Sequence, residues 1–506
     1  MKINIVIPAA GEATRLRPLT NNCSKSMVRI HGKPALSYIL DSIQKTSEIN
    51  QVIVVDGKHD DIREWLDSNK HPYDIKCVKQ GSLDGPRDAI NVGIQELSNP
   101  KLPLVVWLGD AIILDDNLQL GYDFLLTKKV DDHFSWCMYD GEKFYNKPKE
   151  HIPNATALVG LYSFSDGISV KKSFSSTNDY DISAALELYI KEVNSNFGII
   201  EAKKWYDIGD ISSYHKTCAE FLTFKTRDFN SFEYDPNLNV LTKVPNSNNK
   251  FAATTILNEK NWYNKLNSKQ QMFVPKILEN DYGLSLSYES GILLSDLLAH
   301  ENISNATIDY LIEKVISTMR IYFHQRASLD FAIDFNDNAK AMWVDKSEER
   351  LNHYDCKSID EYSRAFYRAT ARNCYAIAEP IQAMHGDLHF GNIIYNPYND
   401  SITLLDPRGQ YGNHKGCGGD YVYDLCKLSH DLYHGYNGIV SGYEYPEYVK
   451  ESFLKIINNY YNKEEVRYII DGGALLIATC IPLHYDDPKR QKRMINYVTK
   501  YANNSN

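Results

Sequence analysis

Eight consecutive residues, His385-Gly-Asp-Leu-His-Phe-Gly-Asn392, carry the most specific chemical signal in the chain. They have the form H-G-D-x-x-x-x-N. Fourteen residues past Asn392 comes Leu404-Leu-Asp406-Pro-Arg408. A carboxylate at Asp387 can accept or orient the proton of an attacking hydroxyl. The amide of Asn392 and the carboxylate of Asp406 can hold Mg2+ on nucleotide phosphates. For the two segments to meet, the chain must turn between them, and Asn396-Pro397 supplies turn residues. This is the chemistry of phosphoryl transfer to an alcohol.

A second constellation opens the chain. The β-branched run Ile3–Ile7 leads into Pro8-Ala-Ala-Gly-Glu-Ala-Thr-Arg15. A tight turn of small residues at Ala10 and Gly11, following a first parallel strand, lets backbone N–H groups close on a phosphate. Arg15 can add a charge-assisted contact to a triphosphate, and Lys25, in Ser24-Lys-Ser26, can return toward the loop. Asp110 ends the run Val105-Val-Trp-Leu-Gly-Asp110, and Asp207 lies in Trp205-Tyr-Asp-Ile-Gly209. Carboxylates at the carboxyl ends of parallel strands sit where open α/β sheets bind ligands, and two can hold Mg2+ against phosphate oxygens.

The elements that must position these residues can be read from periodicity. Ile3–Ile7, Val52–Val55 and Leu104–Leu108 read as buried strands, and Pro34 to Ile43 has helical apolar spacing. Strand, helix, strand predicts a parallel sheet with crossover helices. Ala157–Ser163 and Phe197–Ile200 are further strand candidates. Between about Thr226 and Lys250 the composition turns to Asn, Ser, Asp and Pro, which puts a domain boundary near residue 225. Beyond it come β-type fragments such as Asn239–Lys243, then helices over Ile308–Phe323 and Asp360–Ile377. The polar block His385–Asp420 interrupts these helices, and the tail Ala502–Asn506 reads as frayed.

At 506 residues the chain needs two or three cores. The expected division is residues 1–225 and 226–506. With 65 acidic and 55 basic residues the net charge is −10, which argues against non-specific nucleic-acid binding. Nine scattered cysteines without a C-x-x-C pair suggest neither a zinc ribbon nor a disulfide framework. The apolar run at the N-terminus is too short for a signal peptide, and Gly473–Leu483 falls short of the roughly 20 residues that cross a bilayer. The expectation is a reduced cytoplasmic protein that engages no membrane.

The first 220 or so residues resemble the nucleotidyltransferases that make sugar nucleotides from a sugar 1-phosphate and a nucleoside triphosphate. Gly11, Thr14, Arg15, Leu16, Lys25, Gly32, Lys33, Pro34, Gly109, Asp110, Trp205, Asp207 and Gly209 follow that family's motifs in order. The resemblance implies a Rossmann-like sheet, phosphate contacts from Arg15 and Lys25, and Mg2+ on Asp110 and Asp207. It also implies base recognition by Gln80 and Gly85 and sugar binding by Asp181. The chain departs from the motifs at Ala13, where the family has glycine, and at Ser24 and Ser26, where it has prolines. The Ala13 exchange matters if that position needs positive φ.

The second half resembles the aminoglycoside phosphotransferase and choline kinase group, most strongly over His385–Leu428. That implies an α+β, protein-kinase-like bilobal domain. Its nucleotide lysine would be Lys243, with Lys250 as the alternative, paired to Glu259. Tyr288–Leu294 would be the hinge holding an adenine ring and Asp424 a support for the reactive loop, whereas Arg408 departs from the many relatives that carry an aromatic or apolar residue there and could reach a phosphate or substrate anion.

Together the halves predict an α/β and α+β bifunctional enzyme. A kinase would phosphorylate a sugar or small alcohol, and a transferase would convert the ester to a nucleoside-diphosphate derivative, a product class that commonly feeds surface polysaccharide assembly. The expected partners are nucleoside triphosphates, Mg2+ and the small acceptor, with homo-oligomerisation left open. Two competing readings stand beside it: a choline kinase with a phosphocholine cytidylyltransferase, and a nucleotide-binding regulator with one inactive domain. A protein kinase is disfavoured, since no D-F-G or A-P-E string is present.

Overall fold

The computed structural model describes residues 2–17, 19–21, 23–30, 33–46, 48–82, 84–116, 118–193, 197–223, 230–300, 303–441, 445–485 and 487–505. The chain folds as two compact units, Met1–Cys218 and Ala219–Asn506. The boundary expected near residue 225, and Gly32 of the lysine motif, lie outside the described residues.

The first unit is built on a mixed, Rossmann-like sheet of nine strands. Its parallel centre is Ile3–Pro8, flanked by Ile49–Asp56 and Leu104–Trp107, with Asp74–Lys79 beyond. Ile5, Val6, Ile7, Val52 to Val55 and Val105 to Trp107 are all fully buried, because both faces are covered by helices. The crossover helices are Ala35–Thr46, Asp61–Ser68 and Gly85–Gln95. The sheet is not parallel throughout. Thr156–Phe164 runs antiparallel to Leu104–Trp107 and carries Phe124–Lys128 and the short strand Cys137–Tyr139. Gly198–Glu201 then adds parallel to Phe124–Lys128. A separate two-stranded ribbon pairs Ala111–Ile113 with Trp205–Asp207.

The second unit starts with a four-stranded antiparallel sheet in the order Asn230–Asp235, Val240–Pro245, Leu284–Ser287, Ile277–Leu278. The helix Ala252–Lys265 packs on it. The rest is mostly helical. Asn305–Thr318 continues as a π-helical turn, Met319–Phe323, a local widening that often marks functional positions. A hairpin of Ile393–Asn396 and Ser401–Leu404 turns after Asn396, and the helix Tyr421–Leu432 follows it. Every residue from Val422 to Leu432 is buried.

Two expectations are corrected here. The tail is helical: Pro488–Asn504 is one helix whose Met494, Val498 and Ala502 are fully buried, so packing holds what composition suggested would fray. The apolar stretch at 473–483 is also longer than it reads. It belongs to a helical segment, Lys463–His484, of 22 residues, enough by length and composition to cross a membrane. Within the unit it packs against Tyr421–Leu432 and Glu361–Ile377, and 72% of its apolar window is buried.

Candidate functional site

In the first unit, the end of Ile3–Pro8 opens into a cleft of about 620 Å3. Ala10, Gly11, Arg15, Lys25, Gln80, Gly85 and Asp110 line it, with Tyr180 and Gly209. Gly109 is needed because the strand ends meet there. Its N–H donates to Pro8 O at 3.1 Å, and a Cβ would fall 2.4 Å from Ser26 Oγ. Gly85 starts its helix at φ 91°, and a Cβ there would fall 2.5 Å from Tyr180 O.

Ala13 adopts φ 47° and ψ 43°, the left-handed conformation that favours glycine. The family's glycine position therefore keeps its backbone shape with an alanine in it. The two serines that replace prolines act differently from a ring but reach the same end. Ser24 donates its N–H and Oγ to the two oxygens of Asp61, each at 2.7 Å. That clamp stiffens the chain just before Lys25.

Lys25 forms an ion pair with Asp110, whose side chain is 30% exposed. Burial opposes the Asp110 charge, but Lys25 and then Arg15 hold the carboxyl below its ordinary value. Asp207 lies next to it, because Asp207 pairs with Ala111 in the ribbon. Burial, and then the charge of Asp110, push the Asp207 carboxyl up. Two adjoining carboxylates, one held ionised and one raised by its neighbour, are what a divalent cation relieves, so the pair fits Mg2+. Gln80 donates to Asp88 at 2.8 Å and to Gly85 O at 3.3 Å, which fixes the turn before the helix. Asp181 is not brought into the cleft lining. It accepts from Asn146 beside Tyr180, which does line it.

In the second unit, Lys243 projects from Val240–Pro245 and Glu259 from the helix packed beneath. Both are buried, and Lys243 Nζ lies 2.5 Å from Glu259 Oε1 and 2.5 Å from Asp406 Oδ1. Burial opposes the ammonium, and Asp406 and Glu259 together outweigh it and raise its pKa. Lys250 is exposed and sits over the Phe251 ring instead. Tyr288 to Gly291 links the four-stranded sheet to Ile292–Leu293 and the helices that follow.

The reactive loop is fixed from beneath. Asp424 accepts the N–H groups of His385 (2.9 Å) and Gly386 (2.7 Å), and His324 Nε2 meets the same carboxylate at 3.1 Å. Asp431, two turns along that helix, accepts the N–H of Phe390 at 2.8 Å. Trp262 Nε1 donates to Met384 O at 2.6 Å. Asn392 Nδ2 donates to Asp387 O at 2.9 Å and to Asp387 Oδ2 at 3.1 Å. The N–H of Leu405 donates to Asn392 O at 2.8 Å, so the hairpin sets Asn392 one residue from Asp406. Asp406 itself has φ 57°, a conformation that aspartate tolerates better than most residues. The amide and carboxylate so aligned are oxygen donors of the kind Mg2+ takes.

Sequence reasoning missed Lys427. It lies in the helix begun by Tyr421, is 8% exposed, and its Nζ is 2.8 Å from Asp387 Oδ1. Burial opposes the Asp387 charge, but Lys427 and His389 hold its carboxyl well below the usual carboxylate range. Asp387 is therefore held as the carboxylate, a hydrogen-bond acceptor. A lysine three residues after Asp424, inside the run Val422–Leu432, was the available signal.

Residues 4–136 and 138–223 match the nucleotidyl transferase family model. The chain is 29% identical over 222 residues to the bifunctional protein GlmU of Methanocaldococcus jannaschii, covering 41% of this chain and 51% of that one. It thus spans about half the length of that relative. It is 23% identical to the UTP–glucose-1-phosphate uridylyltransferase of Staphylococcus haemolyticus, over 43% of this chain and 91% of the relative. Among solved structures, a UDP-glucose pyrophosphorylase complexed with UDP-glucose aligns at TM-score 0.39 and 19% identity, covering 44% of this chain and all of that one. The likeness to nucleotidyl transferases is thus confined to the N-terminal half of the chain.

Proposed function

We propose that the first unit transfers a nucleotidyl group to a sugar phosphate or similar phosphate ester, and that the second is the kinase that makes such an ester from an alcohol and a nucleoside triphosphate. The single observation that carries this reading is the pairing of a lysine with an acidic cation site in each unit: Lys25 with Asp110 and Asp207, and Lys243 with Glu259 and Asp406. The match of the first half to the nucleotidyl transferase model supports the transferase, and the loop chemistry alone supports the kinase.

In the transferase, a phosphate oxygen of the ester attacks the α-phosphorus in line and pyrophosphate leaves. Arg15 and Lys25 neutralise the charge that builds on the triphosphate, and Gln80 and Gly85 face the base. In the kinase, Asp387 orients the acceptor hydroxyl toward the γ-phosphorus, and Lys243, fixed by Glu259, holds phosphate oxygens. Mg2+, when bound to Asp110 with Asp207 or to Asn392 with Asp406, supplies further charge neutralisation. Asp181 would reach a sugar only by leaving Asn146. The nucleotide-linked product suits assembly of surface polysaccharide.

Separate Asp387→Asn and Asp110→Asn variants test this division. Each is expected to lower one partial reaction about a hundredfold or more and spare the other. ADP formation reads the kinase and pyrophosphate release reads the transferase. Undiminished phosphorylation by Asp387→Asn would remove the kinase assignment.

A further inference from the structure

Two basic side chains meet one tyrosine hydroxyl in the second unit, and two more lie one helical turn from members of that contact. Lys346 Nζ lies 3.2 Å and Arg408 Nη1 3.4 Å from Tyr423 Oη. Lys427 is one turn along the helix from Tyr423 and reaches Asp387. Arg350, one turn on from Lys346, donates Nη1 to Thr479 O at 3.0 Å. Among the described residues, Lys427 alone of the four has a carboxylate partner. Among the described residues, the side chains of Lys346, Arg350 and Arg408 hydrogen-bond to a hydroxyl, a carbonyl and a methionine sulfur and to no carboxylate.

Like charges held together with neutral partners raise the energy of a folded protein unless a counter-ion relieves them. The strain is greatest at Lys346, where burial, and then Arg408, Arg350 and Lys427, drive the ammonium pKa well below its ordinary value. The tyrosine ring adds a weak attraction at 5.4 Å, too little to offset three cations. The cluster adjoins Asp387, because Lys427, one turn from Tyr423 on the same helix, pairs with that carboxylate.

We propose that Lys346 and Arg408, backed by Arg350, form the seat for an anionic group on the alcohol whose hydroxyl Asp387 orients, so that the kinase acceptor is an anionic alcohol bearing a carboxylate or phosphate. The proposal rests on the kinase reading of this unit. It sets the acceptor apart from a neutral sugar and from a quaternary ammonium alcohol. In the step, the acceptor oxygen bonds to the γ-phosphorus of the nucleoside triphosphate. The bond from that phosphorus to the β–γ bridging oxygen breaks, the diphosphate leaves with the electron pair, and the hydroxyl proton passes by way of Asp387 to solvent. The anionic group is unchanged.

The test uses the full chain with saturating Mg-ADP at constant ionic strength, titrated with sodium sulfate, sodium D-glycerate, sn-glycerol 3-phosphate and choline chloride. Binding is read by calorimetry and by the thermal midpoint. Sulfate and at least one of the two anionic alcohols are expected to bind, with D-glycerate against glycerol phosphate telling carboxylate from phosphate. Lys346→Met should weaken that binding at least tenfold with Mg-ATP affinity unchanged, and Lys346→Arg should restore it. Should Lys346→Met fail to fold, Arg408→Gln carries the same comparison. Tighter binding of choline than of the anions, or a Lys346→Met loss that falls on ATP instead, would overturn the seat. Anion binding that Lys346→Met weakens, with no ADP formed from Mg-ATP and any bound alcohol, would overturn the kinase reading and leave the seat standing.

Discussion

Replacing Lys427 by methionine removes the charge nearest Asp387 while keeping side-chain length. The ion pair spans 2.8 Å, and at an effective dielectric of about 20 its Coulomb energy would be roughly 6 kcal/mol. Asp387 is 41% exposed, so solvent screens much of that, and about 2 kcal/mol is a sounder figure. At 1.36 kcal/mol per unit this is an upward shift of about 1.5 pH units in the carboxyl. The sign follows from the role. In the proposed kinase Asp387 must be ionised to accept the hydroxyl hydrogen, so raising its pKa moves the acid limb of the rate to higher pH. ADP formation at saturating Mg-ATP, followed from about pH 9 down to about pH 2, should begin to fall about 1.5 pH units higher in the variant than in the parent. If no acceptor has been found, slow hydrolysis of ATP by water reads the same carboxylate. Lys427→Arg should return most of the parent profile. Superimposable profiles for parent and Lys427→Met would refute the assignment of this lysine to the charge of Asp387.

Two further outcomes follow from local structure. Ala13→Gly relieves a left-handed alanine worth about 1–2 kcal/mol but adds about 0.4–1 kcal/mol of unfolded-state entropy. The N-terminal unit should therefore gain about 0.5 kcal/mol by urea denaturation, whereas Ala13→Val should lose stability, and a loss with glycine would contradict the strain. His434 is 4% exposed, bonded to Tyr497 Oη and Ile470 O, and burial lowers its pKa from 6.5 to about 4. Between those values the unfolded chain binds the extra proton, so its stabilising effect is present above pH 6.5 and about 3 kcal/mol is lost as pH falls toward 4. Denaturation from pH 7 to 4 should show a flatter slope in His434→Gln, and an unchanged slope would count against it.

The parts that could be read from sequence are those set by local pattern. The central strands announce themselves as β-branched runs, since both sheet faces are buried and no polar alternation is needed. The loop from His385 to Asn392 and the hairpin to Asp406 are contiguous, so spacing carries their geometry. What stayed hidden depends on tertiary contacts. Cys137–Tyr139 is three residues long, and its pairing with Thr156–Phe164 leaves no periodic trace. The Ser24–Asp61 clamp joins residues 37 apart, and the Lys346–Tyr423 contact joins residues 77 apart. Asp181 was placed by resemblance alone, and it faces Asn146. Ala502 looks frayed in a polar tail, yet its methyl is fully buried.

The helix Tyr421–Leu432 reaches beyond architecture. Asp420 caps its start by accepting the N–H of Tyr423 at 2.8 Å, and Asp424 and Asp431 grip the loop at His385, Gly386 and Phe390. The loop is thus shaped by the protein interior. Its loss of conformational freedom belongs to folding, and association is not slowed by ordering it. In the proposed kinase, discrimination among acceptors then falls to charge and fit around Asp387, because a loop already set in place has little left to give by adjusting to its guest.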